Sequence, residues 1–221
     1  MRGVVRRLLV LQVVIAFSVT VSVYAKSTPI DDHLEPLDPI WKSYRQLLHS
    51  KLGVTPFDCG RAMVIPDLGP ESSVSVYSGS SERGQQKCYV TFLLPSDSFW
   101  QNIKHPQRVR VRRFEAEIPQ HTAHLLMETW IRMLKDTRRL SADYWSRQGE
   151  MDRSGLGDEY SIQRRDGHVL DGTLPEPHPG RKLQSLDRIR QLLEWYCQAA
   201  PTKRQAIARR IEEQAYRIVA H

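Results

Sequence analysis

Apolar residues recur along this chain with two spacings, one typical of strands and one typical of helices. An alternation of apolar and polar positions, or a short apolar run, indicates strands with a buried face. Four such segments follow one another in the first half of the chain: RAMVIP, SSVSVYS, KCYVTFLLP and QRVRVRRFEAEI. In the last of these the alternation changes phase at Arg112 and Arg113, which predicts a β-bulge there.

A spacing of three to four residues between apolar positions predicts helices. The predicted helices cover residues 39–53, 119–139, 183–199 and 202–219. Between the second and third of them, EYSIQRRDGHVLDGT has the pattern of a hairpin with a tight turn at Asp166-Gly167. Because short connections join most of the strands, the fold class is α+β. We expect an antiparallel sheet of about four to six strands, with helices packed mainly on one face and a closing helix pair at the C-terminus.

The first 25 residues have the pattern of an export signal. Three arginines precede a long apolar stretch, and Val23-Tyr24-Ala25 suits cleavage before Lys26. Residues 26–38 are polar and carry prolines, which predicts a flexible leader, and residues 39–221 form the single predicted α+β domain. The expected location is therefore periplasmic or extracellular, with no stable membrane span after cleavage; an uncleaved anchor is the alternative.

The charge balance gives no reason to expect a nucleic-acid partner. The 221-residue chain has a formal charge of +7, from 32 basic and 25 acidic residues. Without the three arginines of the signal it has 29 basic residues and a charge of +4, which is ordinary for a soluble domain. We expect a partner, if there is one, to be an envelope or extracellular protein.

Three cysteines in an exported chain predict one disulfide and one leftover thiol. Cys59 and Cys88 both lie at the ends of predicted strands, so we predict that they form the disulfide. Cys197 lies among apolar helix positions and is expected to be a small buried residue. The sequence also leaves the pairing of Cys59 with Cys197 open.

The segment HTAHLLME offers a candidate metal site. On a helix, His121, His124 and Glu128 would lie along one face, and imidazole and carboxylate groups are zinc ligands. The alternative is a solvated polar face beside the apolar stripe that contains Leu126 and Trp130. No nucleotide, calcium or serine-hydrolase motif is present in the sequence, so no cofactor is expected.

Four arginines crowd the segment RVRVRRFEAEI. Arg108, Arg110, Arg112 and Arg113 would suit an anion-binding or partner-binding surface, since guanidinium groups pair with carboxylates and phosphates. An edge strand whose charges prevent aggregation explains the same residues and is favoured. Tryptophans fall where core packing is expected, at Trp41, Trp100, Trp130 and Trp195.

Several short motifs occur together in this chain: SVSVYS, EIP before a helix with W and ML, DGT, and a closing LLEWYCQ. In this combination the chain resembles a set of secreted bacterial proteins with no assigned function. The chain departs from the pattern at Leu174-Pro175, where an aromatic residue would follow DGT. The resemblance implies an exported α+β domain and transfers no catalytic residue.

Two functions follow from these observations. The first is an exported, non-enzymatic binding or interaction protein with an unknown ligand, because no set of reactive residues converges in the sequence. The alternative is a small secreted metal-dependent hydrolase that uses His121, His124 and Glu128.

Overall fold

Six strands of the described residues form one antiparallel sheet. The computed structural model describes residues 32–37, 41–53, 59–66, 69–80, 84–139, 158–163, 168–174 and 180–220. The strands are β1 (Cys59–Val64), β2 (Ser72–Ser80), β3 (Gln86–Pro95), β4 (Val111–Ile118), β5 (Glu159–Gln163) and β6 (Val169–Thr173). Their order across the sheet is β4-β3-β2-β1-β5-β6, and every neighbouring pair is antiparallel.

The helices of the described part are α1 (Lys42–Leu52), α2 (Gln120–Lys135), α3 (Arg181–Gln198) and α4 (Pro201–Val219). The apolar stripes of α2, α3 and α4 form the main core with the inward side chains of the strands, among them Ala62, Val76 and Val90. Gly60 allows close contact there, because a Cβ atom on it would lie 2.2 Å from the ring of Trp130. None of the described helices combines the length and the apolar character needed to cross a membrane. The predicted α+β architecture is confirmed.

The first helix packs on the other face of the sheet. Leu48 and Leu52 of α1 form a second core with Met63 and Leu93, whose side chains point away from α2, α3 and α4. Because successive side chains of a strand alternate between faces, each central strand contributes to both cores. Ser73 and Ser75 of β2 are therefore buried, and Ser73 lies under α1, where it donates to the carbonyl of Leu52 at 2.7 Å.

Part of the stretch that we expected to be a flexible leader is built into the domain. Residues 32–37 run beside β6, where Glu35 and Thr173 exchange two backbone hydrogen bonds of 2.9 and 2.7 Å. Leu34 is fully buried in the main core. The carboxylate of Asp32 accepts hydrogen bonds from the backbone N–H groups of Lys182 and Leu183, both at 2.9 Å. Asp32 thus caps α3 from a distant part of the chain.

The predicted β-bulge at Arg112 and Arg113 is wrong. Pairing between β3 and β4 is continuous from Cys88↔Ile118 to Pro95↔Val111. The change of phase has another cause, because Val109 and Val111 pack with the second core, whereas Ala116 and Ile118 pack with the main core. Because the two groups of apolar side chains belong to cores on opposite faces of the sheet, the strand needs no bulge to bury both groups.

The predicted Cys59–Cys88 disulfide is also wrong, because Cys88 is a buried free thiol. The strand order explains the error: β2 lies between β1 and β3. Neighbouring strands are about 4.8 Å apart, so two intervals give roughly 10 Å, beyond the ~7 Å that a disulfide can span between Cα atoms. Cys197 is buried and free, as expected for a small core residue, and contacts the carbonyl of Val90 at 3.4 Å. The side chain of Cys59 lies outside the described residues.

Asp32→Ala should destabilise the protein by about 1 kcal/mol, because the first turn of α3 loses the acceptor for two backbone N–H groups. The free energy of unfolding, measured by chemical denaturation, checks this value. Glu213→Ala is the matched control, since it removes one carboxylate from an exposed position on α4 and should change little. Equal effects of the two substitutions would contradict the capping role.

Candidate functional site

The connection between β3 and β4 forms a closed loop, which we call the β3–β4 loop (residues 96–110). Its two ends are joined by a hydrogen bond of 2.7 Å from the backbone N–H of Ser96 to the carbonyl of Arg110, and the N–H of Arg110 donates to the Ser96 hydroxyl at 3.2 Å. Further turns are bonded inside the loop, such as that from His105 to Asn102 at 2.8 Å. The loop is therefore a compact structure of its own.

A buried carboxylate fixes this loop to the domain. Glu71 is 1 % exposed, and it accepts hydrogen bonds from the backbone N–H groups of Phe99 at 2.7 Å and Trp100 at 3.1 Å. The hydroxyls of Ser98, at 3.0 Å, and Tyr44 donate to the same carboxylate. Burial and the hydrogen bond to Glu71 hold the pKa of the Tyr44 hydroxyl well above its usual range, so Tyr44 remains a donor. Four donors compensate the desolvation of the charge.

Some apolar side chains of the loop are buried in the protein, and others are exposed to solvent. Phe99 is fully buried and Val109 is 9 % exposed, both in the second core. In contrast, Trp100 and Ile103 are each 47 % exposed. The Trp100 ring rests edge-on against Trp41 and Tyr44, with ring centroids 5.5 and 5.2 Å apart. The expectation of core packing is therefore wrong for Trp100, and also for Trp195 of α3, which is 45 % exposed.

Three exposed cations belong to the same closed loop as these two apolar side chains. Lys104, Arg108 and Arg110 belong to the same loop and are exposed. No carboxylate of the described residues lies within ion-pair distance of any of the three, and Asp97 is the one acid of the loop sequence. We call Trp100, Ile103, Lys104, Arg108 and Arg110 the tip surface. Its composition, aromatic and aliphatic with arginine and lysine, is typical of a contact surface.

The four arginines predicted as an anion or partner surface divide into two groups. Arg108 and Arg110 belong to the tip surface, whereas Arg112 and Arg113 lie on β4, which is an edge strand. The guanidinium of Arg112 lies over the Phe114 ring, 5.8 Å from its centroid. Arg113 is hydrogen-bonded to Glu115 and thereby lowers the pKa of that carboxyl. The edge-strand interpretation holds for this second pair.

The structure does not bring the three predicted metal ligands together. His124 and Glu128 are exposed on α2, and His121 lies 2.7 Å from Glu212 of α4, which the Thr122 hydroxyl also contacts. Across the described ranges, no three His, Cys, Asp or Glu side chains are grouped so that they could hold a metal ion. The His121–Glu212 pair joins two helices, and no local pattern predicts it because α2 and α4 are far apart in the chain.

Sequence reasoning missed a buried polar network under α1. Glu159 of β5 is 2 % exposed, and its carboxylate lies 2.8 Å from Nε2 of His49 and 3.3 Å from Nε of Arg45. The Arg61 guanidinium of β1 lies 2.8 Å from Nδ1 of His49. Arg45, His49 and Leu52 share one face of α1, which was the available signal. The carboxylate partner could not be foreseen, since Glu159 alternates with apolar residues, as an exposed strand residue would.

This network holds α1 to the sheet and leaves His49 unsuited to proton transfer. Arg61 can only donate, so Nδ1 of His49 is an acceptor and the proton lies on Nε2, which donates to Glu159. Both ring nitrogens are engaged, and no serine, threonine or cysteine side chain of the described residues is hydrogen-bonded to either. Ser75, between Arg61 and Thr91 in the sheet, is fully buried and does not contact the ring in any described hydrogen bond.

Comparison with protein families, with curated proteins and with solved structures gives no match to this chain.

Glu159→Gln should destabilise the protein by about 3 kcal/mol, because the buried Arg45 guanidinium loses the charge that compensates it. Equilibrium urea denaturation provides the measurement. The control is Glu117→Gln, which breaks the exposed pair of Glu117 with Lys87, 2.6 Å apart, and should leave stability nearly unchanged. A similarly small effect for both variants would mean that the network is not what secures α1.

Asp171→Asn should stabilise the protein near pH 7. Some desolvation at the sheet edge and the nearby charge of Glu159 raise the pKa of the exposed Asp171 carboxyl above its ordinary value. A raised pKa in the folded state means that ionisation disfavours folding, so stability decreases as the pH rises through that pKa. Because water screens the charge of this exposed group, the gain should be only a few tenths of a kcal/mol near pH 7, and it should vanish at about pH 3, below the ordinary pKa. Denaturation at both pH values tests this, and a gain that persists at low pH would contradict it.

Proposed function

We propose that this protein is an exported, non-enzymatic binding protein that contacts an anionic partner in the cell envelope through the tip surface. The proposal rests mainly on one observation: Trp100 and Ile103 are exposed on the same anchored loop as three cations that have no carboxylate partner in the described residues. Exposed apolar side chains cost solvation free energy in the free protein, and burial against a partner would recover it.

The anchoring of the loop supports a binding role. Glu71 fixes the backbone of residues 99 and 100, while Phe99 and Val109 are held in the second core. The loop therefore keeps its shape before any partner arrives. A pre-ordered surface loses little conformational entropy on binding, which raises affinity for a given contact area.

Charge adds specificity to this surface. Lys104, Arg108 and Arg110 are supplied by a loop with one acid, and that acid, Asp97, is hydrogen-bonded to Asn102 at 3.0 Å. The remaining positive charge favours encounters with acidic groups and disfavours basic ones. Residues 1–25, whose pattern predicts export, would bring the protein to the envelope, but they lie outside the described residues.

Reversing the charge of Lys104, Arg108 and Arg110 to glutamate should abolish binding of the purified protein to an envelope fraction from the cells that produce it. The reason is that the substitution replaces attraction to acidic groups by repulsion. Co-sedimentation, followed by immunoblotting of pellet and supernatant, measures the bound fraction.

A second triple variant controls for net charge. Lys203, Arg209 and Arg217 are exposed on α4, and their change to glutamate alters the total charge by the same amount. This variant should bind like the wild-type protein. If both triple variants lose binding equally, or if neither does, the tip surface is not the binding site and the proposed function is wrong.

A further inference from the structure

We infer that the anionic partner of the tip surface is a lipid bilayer surface with acidic headgroups, on which the protein docks peripherally. This inference rests on the proposed function and names the partner of the same surface. The other candidate, an acidic protein, is distinguished in the test below.

The apolar part of the tip surface has the size and chemistry of a membrane anchor. Trp100 and Ile103 lie three residues apart on a single turn, and half of each is exposed. Together they present on the order of 200 Å² of surface, well below the ~800 Å² that each side of a stable protein complex buries. Insertion of one indole and one aliphatic side chain at the headgroup boundary needs no larger patch, and tryptophan is enriched at that boundary.

The arrangement of the cations also fits a lipid surface. Lys104, Arg108 and Arg110 follow one another around a single loop, and none is held by a described carboxylate. A protein partner is usually recognised through paired groups with fixed geometry, whereas acidic headgroups diffuse to wherever cations lie. Each lysine or arginine near such a surface adds to the attraction.

The anchoring of the loop allows both parts to act together. The hydrogen bond from Ser96 to Arg110 closes the loop, and Glu71 fixes the backbone N–H of Trp100. Trp100 and the cations therefore approach a bilayer on one pre-ordered loop, so that contact of the ring with the bilayer brings the charges of the same loop towards the headgroups. Exposed Lys42, adjacent to Trp41, lies beside the same aromatic cluster and carries a further positive charge.

The test uses protein-free vesicles of phosphatidylcholine with or without phosphatidylglycerol. The protein should sediment with the anionic vesicles and not with the neutral ones, and added salt should weaken the binding.

The triple change of Lys104, Arg108 and Arg110 to glutamate should reduce the partition coefficient by about a hundredfold, and Ile103→Ser by about tenfold. Tyr216→Ser, at a 60 % exposed position on α4, is the control for apolar exposure and should bind like wild type.

Fluorescence gives an independent measurement of the contact residue. The chain has five tryptophans, so the blue shift on addition of anionic vesicles is compared with that of Trp100→Phe. Loss of the shift in this variant supports insertion of Trp100, and an unchanged shift contradicts it.

Failure of the inference and failure of the proposed function give different results. If the protein ignores anionic vesicles but still binds the envelope fraction through the tip surface, and protease treatment of that fraction removes the binding, the partner is a protein and the inference is overturned. If neither vesicles nor the envelope fraction distinguishes the tip variant from its α4 control, both proposals are wrong.

Discussion

Charges that are covered by a helix must be compensated, and this constraint organises one whole face of the sheet. On the face covered by α2, α3 and α4 the core side chains are mostly apolar, and the Arg190 guanidinium of α3 is paired with Asp158 at 2.9 Å. On the other face, α1 covers Glu159, whose charge is compensated by Arg45 and is bonded to His49. Removing a charged group from water costs several kcal/mol unless a partner is in place. The position of α1 is therefore determined by electrostatic pairing as well as by its leucines.

A short series of contacts connects α1 to the tip surface. Tyr44 of α1 donates to the buried carboxylate of Glu71, and the same carboxylate accepts from the backbone of Phe99 and Trp100. The ring of Trp100 in turn rests on Tyr44 and Trp41. The polar network under α1 and the β3–β4 loop are thus connected through Tyr44 and Glu71. Such a chain of satisfied polar groups makes the loop rigid without adding apolar core.

The sequence predicted the main elements well because their signals are local. Alternation in SSVSVYS and KCYVTFLLP placed β2 and β3, and the apolar spacing of the terminal helices placed α3 and α4. The errors came from non-local facts. The Cys59–Cys88 pairing failed because β2 separates the two strands, and the predicted bulge failed because the valines near Arg110 belong to a different core from Ala116.

The candidate site was predicted only in part, for the same reason. Clustered arginines are visible in the sequence, so Arg108 and Arg110 were identified as surface groups. The outward position of Trp100 is not predictable in the same way, because no local pattern tells which of the two adjacent aromatic residues, Phe99 or Trp100, faces inward. The carboxylate that decides this, Glu71, lies 28 residues before Phe99 in the chain.

Periodicity and composition act over a few neighbouring residues, and they are enough to predict the fold class, the order of strands and helices along the chain, and the positive charge of the β3–β4 loop. They do not predict the order of strands in the sheet, the burial of Ser73 and Ser75, the remote cap that Asp32 provides for α3, or the outward position of Trp100. These features depend on contacts between residues far apart in the chain. Their energies come from desolvation and packing in three dimensions, which no local pattern records.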